Sequence, residues 1–212
     1  MNRLTTIKTP FLKKLKILNI DAWTFRIKTF SSVVPTTSVE GLPLTNFNSV
    51  TVVNNAVRGF VFSFRDNSLS VNQPSPINST KTFWLSSAKM SVSGNNVFST
   101  ATMPIWFNNT FILRTTVNFG SAGPTNVIST IPQTEWKFYA ITTTDTTTSL
   151  YVDGVLVRTV NVNWGGDTTK IFFGSLNDSA GSFYLGLIDD MRLYSMTLTP
   201  TEIQSLHITT KI

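Results

Sequence analysis

The sequence predicts an all-β protein: a two-sheet antiparallel β-sandwich with one short C-terminal helix and a basic N-terminal arm. Three observations predict it. From about residue 31 onward, short apolar runs alternate with turn residues, as strands do. Thr, Ser and Asn supply roughly a third of the 212 residues; Thr suits strands, and both Thr and Asn are poor helix formers. Charged residues are only 13% of the chain while 41% is hydrophobic, enough apolar content for a sizeable core. The length fits one domain with an appendage.

The first element is the arm, residues 1–30. It carries Arg3, Lys8, Lys13, Lys14, Lys16, Arg26 and Lys28 against Asp21 alone, so the whole formal charge of +6 sits there. Residues 31–212 balance to zero. Thr9 and Pro10 are helix-start residues. After them, Phe11, Leu12, Leu15 and Leu18 share one helical face, with Lys13, Lys14 and Lys16 mostly off it. Three readings are open: a short packing helix or edge strand, a docking arm onto a protein assembly or anionic surface, and nucleic-acid binding. Little Arg and no basic–aromatic repeat place nucleic acid last. The lysines interrupt what would be the apolar centre of a secretory signal, and no apolar run reaches the length of a membrane span.

The body, residues 31–212, follows as one domain. Gly59–Phe64 reads as a strand that breaks at Arg65, Asp66, Asn67 and Ser68 and resumes at 69–71. Pro74 and Pro76 mark a loop, because proline cannot join a ladder, and 81–86 is the next strand. Further strands are expected at 91–92, 97–99, 105–107, 111–117, 136–142, 170–174 and Gly186–Tyr194. Asp153 and Gly154 between alternating β-branched runs signal a hairpin, since a type I′ turn needs positive φ at both central residues. Thr199, Pro200 and Glu202 form a capping box ahead of a helix over 201–206.

Four of these stretches, in this order, resemble the laminin-G-like, concanavalin A-like jelly-roll domains, in particular the LamG-like jelly-roll subfamily. They are residues 59–69 (GFVFSFRDNSL), 81–85 (KTFWL), 134–142 with 150–157 (TEWKFYAIT, LYVDGVLV), and Gly186–Tyr194 with the capped helix after it. The resemblance covers about residues 31–208. It implies two sheets of six or seven strands each and a lectin-like, carbohydrate-binding role. It also implies Ca²⁺ held at the rim by oxygen ligands, as suits a hard cation; these could come from Asp66 and Asn67, from Asp145, from Asp167, or from Asn177 and Asp178, with Asp66 the first choice and Asp178 the second. Asp189 matches the family's last-strand Asp, expected to cap neighbouring backbone groups.

The chemistry available is narrow. There is no cysteine, hence no disulfide, thiolate metal site or Cys nucleophile. His207 is the one histidine and closes the terminal helix. Glycoside hydrolysis needs two convergent carboxyl groups. Glu40, Glu135 and Glu202 each lack an acid two residues away, and Asp189 and Asp190, adjacent on a strand, are expected on opposite faces. The expectation is therefore no enzyme. Trp84, Trp136, Phe138, Tyr151 and Tyr194 are expected in the core. Trp106 and Trp164, beside Asn108, Asn109 and a Gly-Gly-Asp turn, are the candidates for sugar contact.

Two functions fit. One is a non-catalytic module that binds a glycan or glycosylated surface. The other is a structural or assembly protein, such as a minor capsid or surface component of a large virus, docked through Phe11, Leu12, Lys13, Lys14, Leu15 and Lys16. Either places the chain on a virion, at a cell surface or outside the cell.

Overall fold

A computed structural model describes residues 23–39, 42–65, 68–72, 77–86, 95–99, 104–107, 112–117, 125–130, 135–161, 170–175 and 183–211. Among them the chain forms two antiparallel sheets and one helix. The first sheet holds β1 (Trp23–Ile27), β3 (Thr51–Asn55), β4 (Gly59–Phe64), β6 (Ser79–Ser86), β11 (Lys137–Thr143), β12 (Thr148–Val152), β13 (Val155–Val160) and β15 (Gly186–Tyr194). Its order is β13-β12-β11-β6-β15-β4-β3, with β1 also paired to β15. The second sheet holds β2 (Leu44–Phe47), β5 (Ser68–Val71), β7 (Asn95–Ser99), β8 (Pro104–Phe107), β9 (Ile112–Val117), β10 (Thr125–Thr130) and β14 (Ile171–Phe173). Its order is β10-β9-β8-β7-β14-β5-β2. The all-β sandwich is as the sequence predicts.

Two differences bear on the site. β1 lies inside the stretch read as the arm, and it pairs with β15 from Trp23↔Tyr194 to Ile27↔Met191; the sandwich thus includes residues from Trp23 on. The strand that breaks after Phe64 resumes in the other layer, since β4 and β5 belong to different sheets.

The local signals form as their chemistry requires. Asp153 and Gly154 have φ of 51° and 82°, the left-handed pair of a type I′ turn, and Val152 faces Val155 across it. A side chain on Gly154 would also strike the helix, with an ideal Cβ 3.1 Å from Gln204 Cα. The helix α1 (Pro200–Thr210) starts with the expected box: Glu202 N–H donates to Thr199 Oγ1 at 3.3 Å, and Thr199 N–H donates to Glu202 Oε2 at 2.7 Å. It runs four residues past the expected end at 206, with Ile203, Leu206 and Thr210 on its buried side.

Apolar residues gather in two layers. Between the sheets lie Phe62, Phe64, Leu69, Val71, Phe83, Leu85, Tyr139, Ile141, Leu150, Ile171, Phe173, Ile188, Met191 and Leu193. On the outer face of the first sheet, Trp84, Phe138, Ala140, Tyr151 and Tyr194 meet Leu198, Ile203 and Leu206 from α1 and the turn before it. The aromatics expected in the core are thus buried, except Trp136, which is half-buried against the outer layer. β6 has every residue buried because it is covered on both faces. Strands covered on both faces lose the apolar–polar alternation.

Candidate functional site

The buried charged groups among the described residues collect on the outer face of the first sheet, beside α1, apart from Lys81. Lys81 is fully buried on the inter-sheet face, with its Nζ against Ser79 Oγ and its pKa lowered by burial. Ile188 and Met191 both enter the inter-sheet core. Strict alternation cannot place both there, and β15 solves this with a bulge: its register against β6 shifts between Asp189 and Arg192, and Asp190 takes φ 52°. The bulge turns Asp189 and Asp190 to the same outer face. This corrects the expectation that adjacent acids point to opposite faces.

Both carboxylates are buried, at 0% and 3% exposure, and both are ion-paired. Asp189 accepts from Arg58 Nε at 2.9 Å and Lys28 Nζ at 3.0 Å. Asp190 accepts from Arg26 Nε at 2.6 Å and Arg192 Nε at 2.9 Å. Arg26 and Lys28 reach this face because Ile27 between them points into the core. Burial by itself would raise the Asp190 pKa, but the Arg192 and Arg26 guanidinium groups outweigh it and hold that carboxyl well below the usual range. Burial lowers the Arg58 pKa, with Asp189 opposing. Asp189 therefore neutralises cations and does not cap backbone groups as expected.

Arg58 links this cluster to the helix. Its guanidinium lies 4.2 Å from the Trp84 ring centroid and 5.5 Å from that of Trp136. Its two terminal nitrogens donate to Thr210 O at 3.3 Å, a carbonyl in the last turn of α1, where a cation is favoured. Trp84 Nε1–H donates to Thr210 Oγ1 at 2.9 Å. His207 packs between Trp84 and Phe138, with ring centroids 5.6 Å and 5.8 Å away. Burial lowers its pKa despite Asp153 nearby. Asp153 is already engaged, accepting from Phe138 N–H at 3.0 Å and Lys137 Nζ at 2.9 Å. Glu135 is solvated, as expected, at 64% side-chain exposure.

The sequence-predicted contact residues fall elsewhere. Asp66, Asn67, Asn108, Asn109, Trp164 and Asp178 lie outside the described residues, as do Phe11, Leu12, Lys13, Lys14, Leu15 and Lys16. Trp106 is in β8, at the ladder position opposite Arg114 of β9 and Asn96 of β7. Among the described residues, no group of three or more His, Asp or Glu side chains is placed to hold a metal ion, and no helix is long and apolar enough to cross a membrane. Sequence reasoning missed the ion cluster. Its signal was present: Arg26 and Lys28 at alternate positions, Asp189 and Asp190 in an otherwise apolar strand, and Arg58 in a turn.

The sequence matches the laminin-G family described as the concanavalin A-like lectin/glucanases superfamily over residues 62–204. The chain belongs to this superfamily. No curated protein matches the sequence. Among solved structures, domain 4 of AbnA, a GH43 extracellular arabinanase from Geobacillus stearothermophilus, determined in complex with arabinotriose, matches with a TM-score of 0.66 and 16% identity. That match covers 88% of this chain and 98% of the domain. A botulinum neurotoxin type C structure, whose report concerns cell entry through two ganglioside molecules, matches with a TM-score of 0.71 and 15% identity over 92% of this chain. The binding domain of Paraclostridial Mosquitocidal Protein 1 matches with a TM-score of 0.73 and 13% identity over 89%. The chain spans about half of each toxin structure, 53% and 52% respectively. At these identities the shared property is the sandwich fold.

Proposed function

We propose that this chain is a non-catalytic glycan-binding module that works outside the cell. The observation that carries the reading is the match to nearly the whole of a domain determined with a bound trisaccharide. Fold likeness alone is analogy, so the chemistry of the site matters as well. The convergent acids Asp189 and Asp190 are buried and each faces two cations. A general acid must hold a proton near neutral pH and a nucleophile must reach the sugar. Asp190, pinned ionised and buried, meets neither need, and Asp189 is fully enclosed. Ca²⁺ bound through Asp66, Asn67 or Asp178, the oxygen ligands the family resemblance suggests, belongs to the same proposal as an aid to sugar binding.

The test is a glycan array probed with the full chain, once with Ca²⁺ and once with a chelator. Saturable binding to one glycan class is expected. Silence on every glycan in both conditions would remove the reading.

A further inference from the structure

At one end of the sandwich the chain leaves β2 through two left-handed residues that are not glycine. Asn48 has φ 54° and Ser49 has φ 59°. A two-residue left-handed connection is normally met by Asn-Gly; here Ser49 carries a Cβ in a conformation that disfavours one. The strain is held from both sides. Val50, buried at 3%, donates its N–H to Asn46 Oδ1 at 2.8 Å, and Phe47 stands opposite Ser68 at the other end of the connection. Strain kept by such surroundings clusters at functional sites.

What the strained turn adjoins is an aromatic pair. The Phe47 ring lies near-parallel to that of Phe183, at 12° and 6.4 Å between centroids. Both residues are only half-buried: Phe47 stands between the exposed Asn46 and Asn48, and Phe183 precedes the buried Tyr184. Phe183 is set by Tyr184, which is fully buried, donates its N–H to Gly174 O at 2.8 Å and donates its hydroxyl to Ser86 O at 3.2 Å. The rings are thus fixed by rigid elements yet stay partly open to solvent, with Asn46, Asn48 and Ser49 exposed beside them. Flat apolar faces bordered by amides and a hydroxyl match a sugar, which presents C–H groups on its ring face and hydroxyls at its edge.

We infer that Phe47 and Phe183 form the sugar-stacking platform of the module, with Asn46, Asn48 and Ser49 at its hydrogen-bonding edge, for an oligosaccharide ligand. This rests on the glycan-binding reading. It differs from the sequence-based candidates Trp106 and Trp164, and it asks no charge of the ligand.

Binding of arabinotriose and of sialyllactose to the full chain, measured by titration calorimetry beside the array, tests it. Phe47→Ala and Phe183→Ala should each weaken the bound oligosaccharide at least tenfold, while Phe47→Tyr stays within about threefold. Tight binding of either sugar, or of an array glycan, that both alanine variants leave unchanged would overturn the platform and spare the glycan reading. No binding to any glycan would overturn both. Should an alanine variant fail to fold, fluorine-labelled phenylalanine in the unmutated chain decides. The Phe47 and Phe183 resonances must shift on sugar addition, and unmoved resonances would overturn the platform.

Discussion

Between the sheets, Phe62, Phe83, Tyr139 and Ile188 meet mainly other apolar groups. On the outer face of the first sheet, Trp84 is shared between Arg58 and His207, and α1 ends on a guanidinium. The first layer is held by burial of apolar area, which is non-directional. The second adds a chain of directed contacts: Lys28 and Arg58 to Asp189, then Arg58 to Thr210, then Thr210 to Trp84. The contrast shows how a sandwich can close a face that has no second sheet. A helix of modest length covers it, and buried charge fixes where that helix ends.

The largest expected effect breaks that fixation. Asp189→Asn keeps the shape but leaves Arg58 buried without its carboxylate, at a cost of about 3–5 kcal/mol, and hydrogen exchange should rise first in the last turn of α1. Leu85→Ala in the inter-sheet layer should cost about 2–5 kcal/mol, read from the denaturant midpoint, and leave exchange in α1 no faster than in the sheet. Equal fraying of α1 in both variants would erase the distinction between the layers.

Acid sharpens the comparison next. The folded-state pKa of Asp190 lies below its unfolded value of ~3.9. Its stabilisation is therefore present above that value and is lost as pH falls below it. Thermal melts should show a steeper acid loss for the unmutated chain than for Asp190→Asn. Parallel curves would contradict the cluster's role. The smallest effect belongs to Tyr139→Phe. Among the described residues the buried Tyr139 hydroxyl has no hydrogen-bond partner, so its removal should change stability by about 1 kcal/mol or less, in the stabilising direction. A loss above that would mean the hydroxyl is satisfied.

How much of this was legible follows from how local each signal is. Asp153-Gly154 and Thr199-Pro200-Thr201-Glu202 act through neighbours in sequence, so the hairpin and the helix start could be read directly. The polar strands β2 and β3, and the β10 pairing, could not, because Leu44–Phe47 and Thr51–Asn55 owe their extension to partners elsewhere in the chain. The pairing of Asp189 with Asp190 on one face was hidden for another reason. The one mark of the bulge on the apolar pattern is the three-residue step from Ile188 to Met191, which no glycine flags as a bulge. The candidate platform was equally hidden, since Phe47 and Phe183 lie 136 positions apart in the chain and meet only through the fold.

Binding without turnover is the central claim, and one sample tests both halves. The full chain is incubated with an oligosaccharide that it retains on the array, and the sugar is then recovered and weighed by mass spectrometry. The account predicts a saturable complex from which the oligosaccharide returns at its original length. Shortened sugar, growing with time and protein concentration, would contradict it.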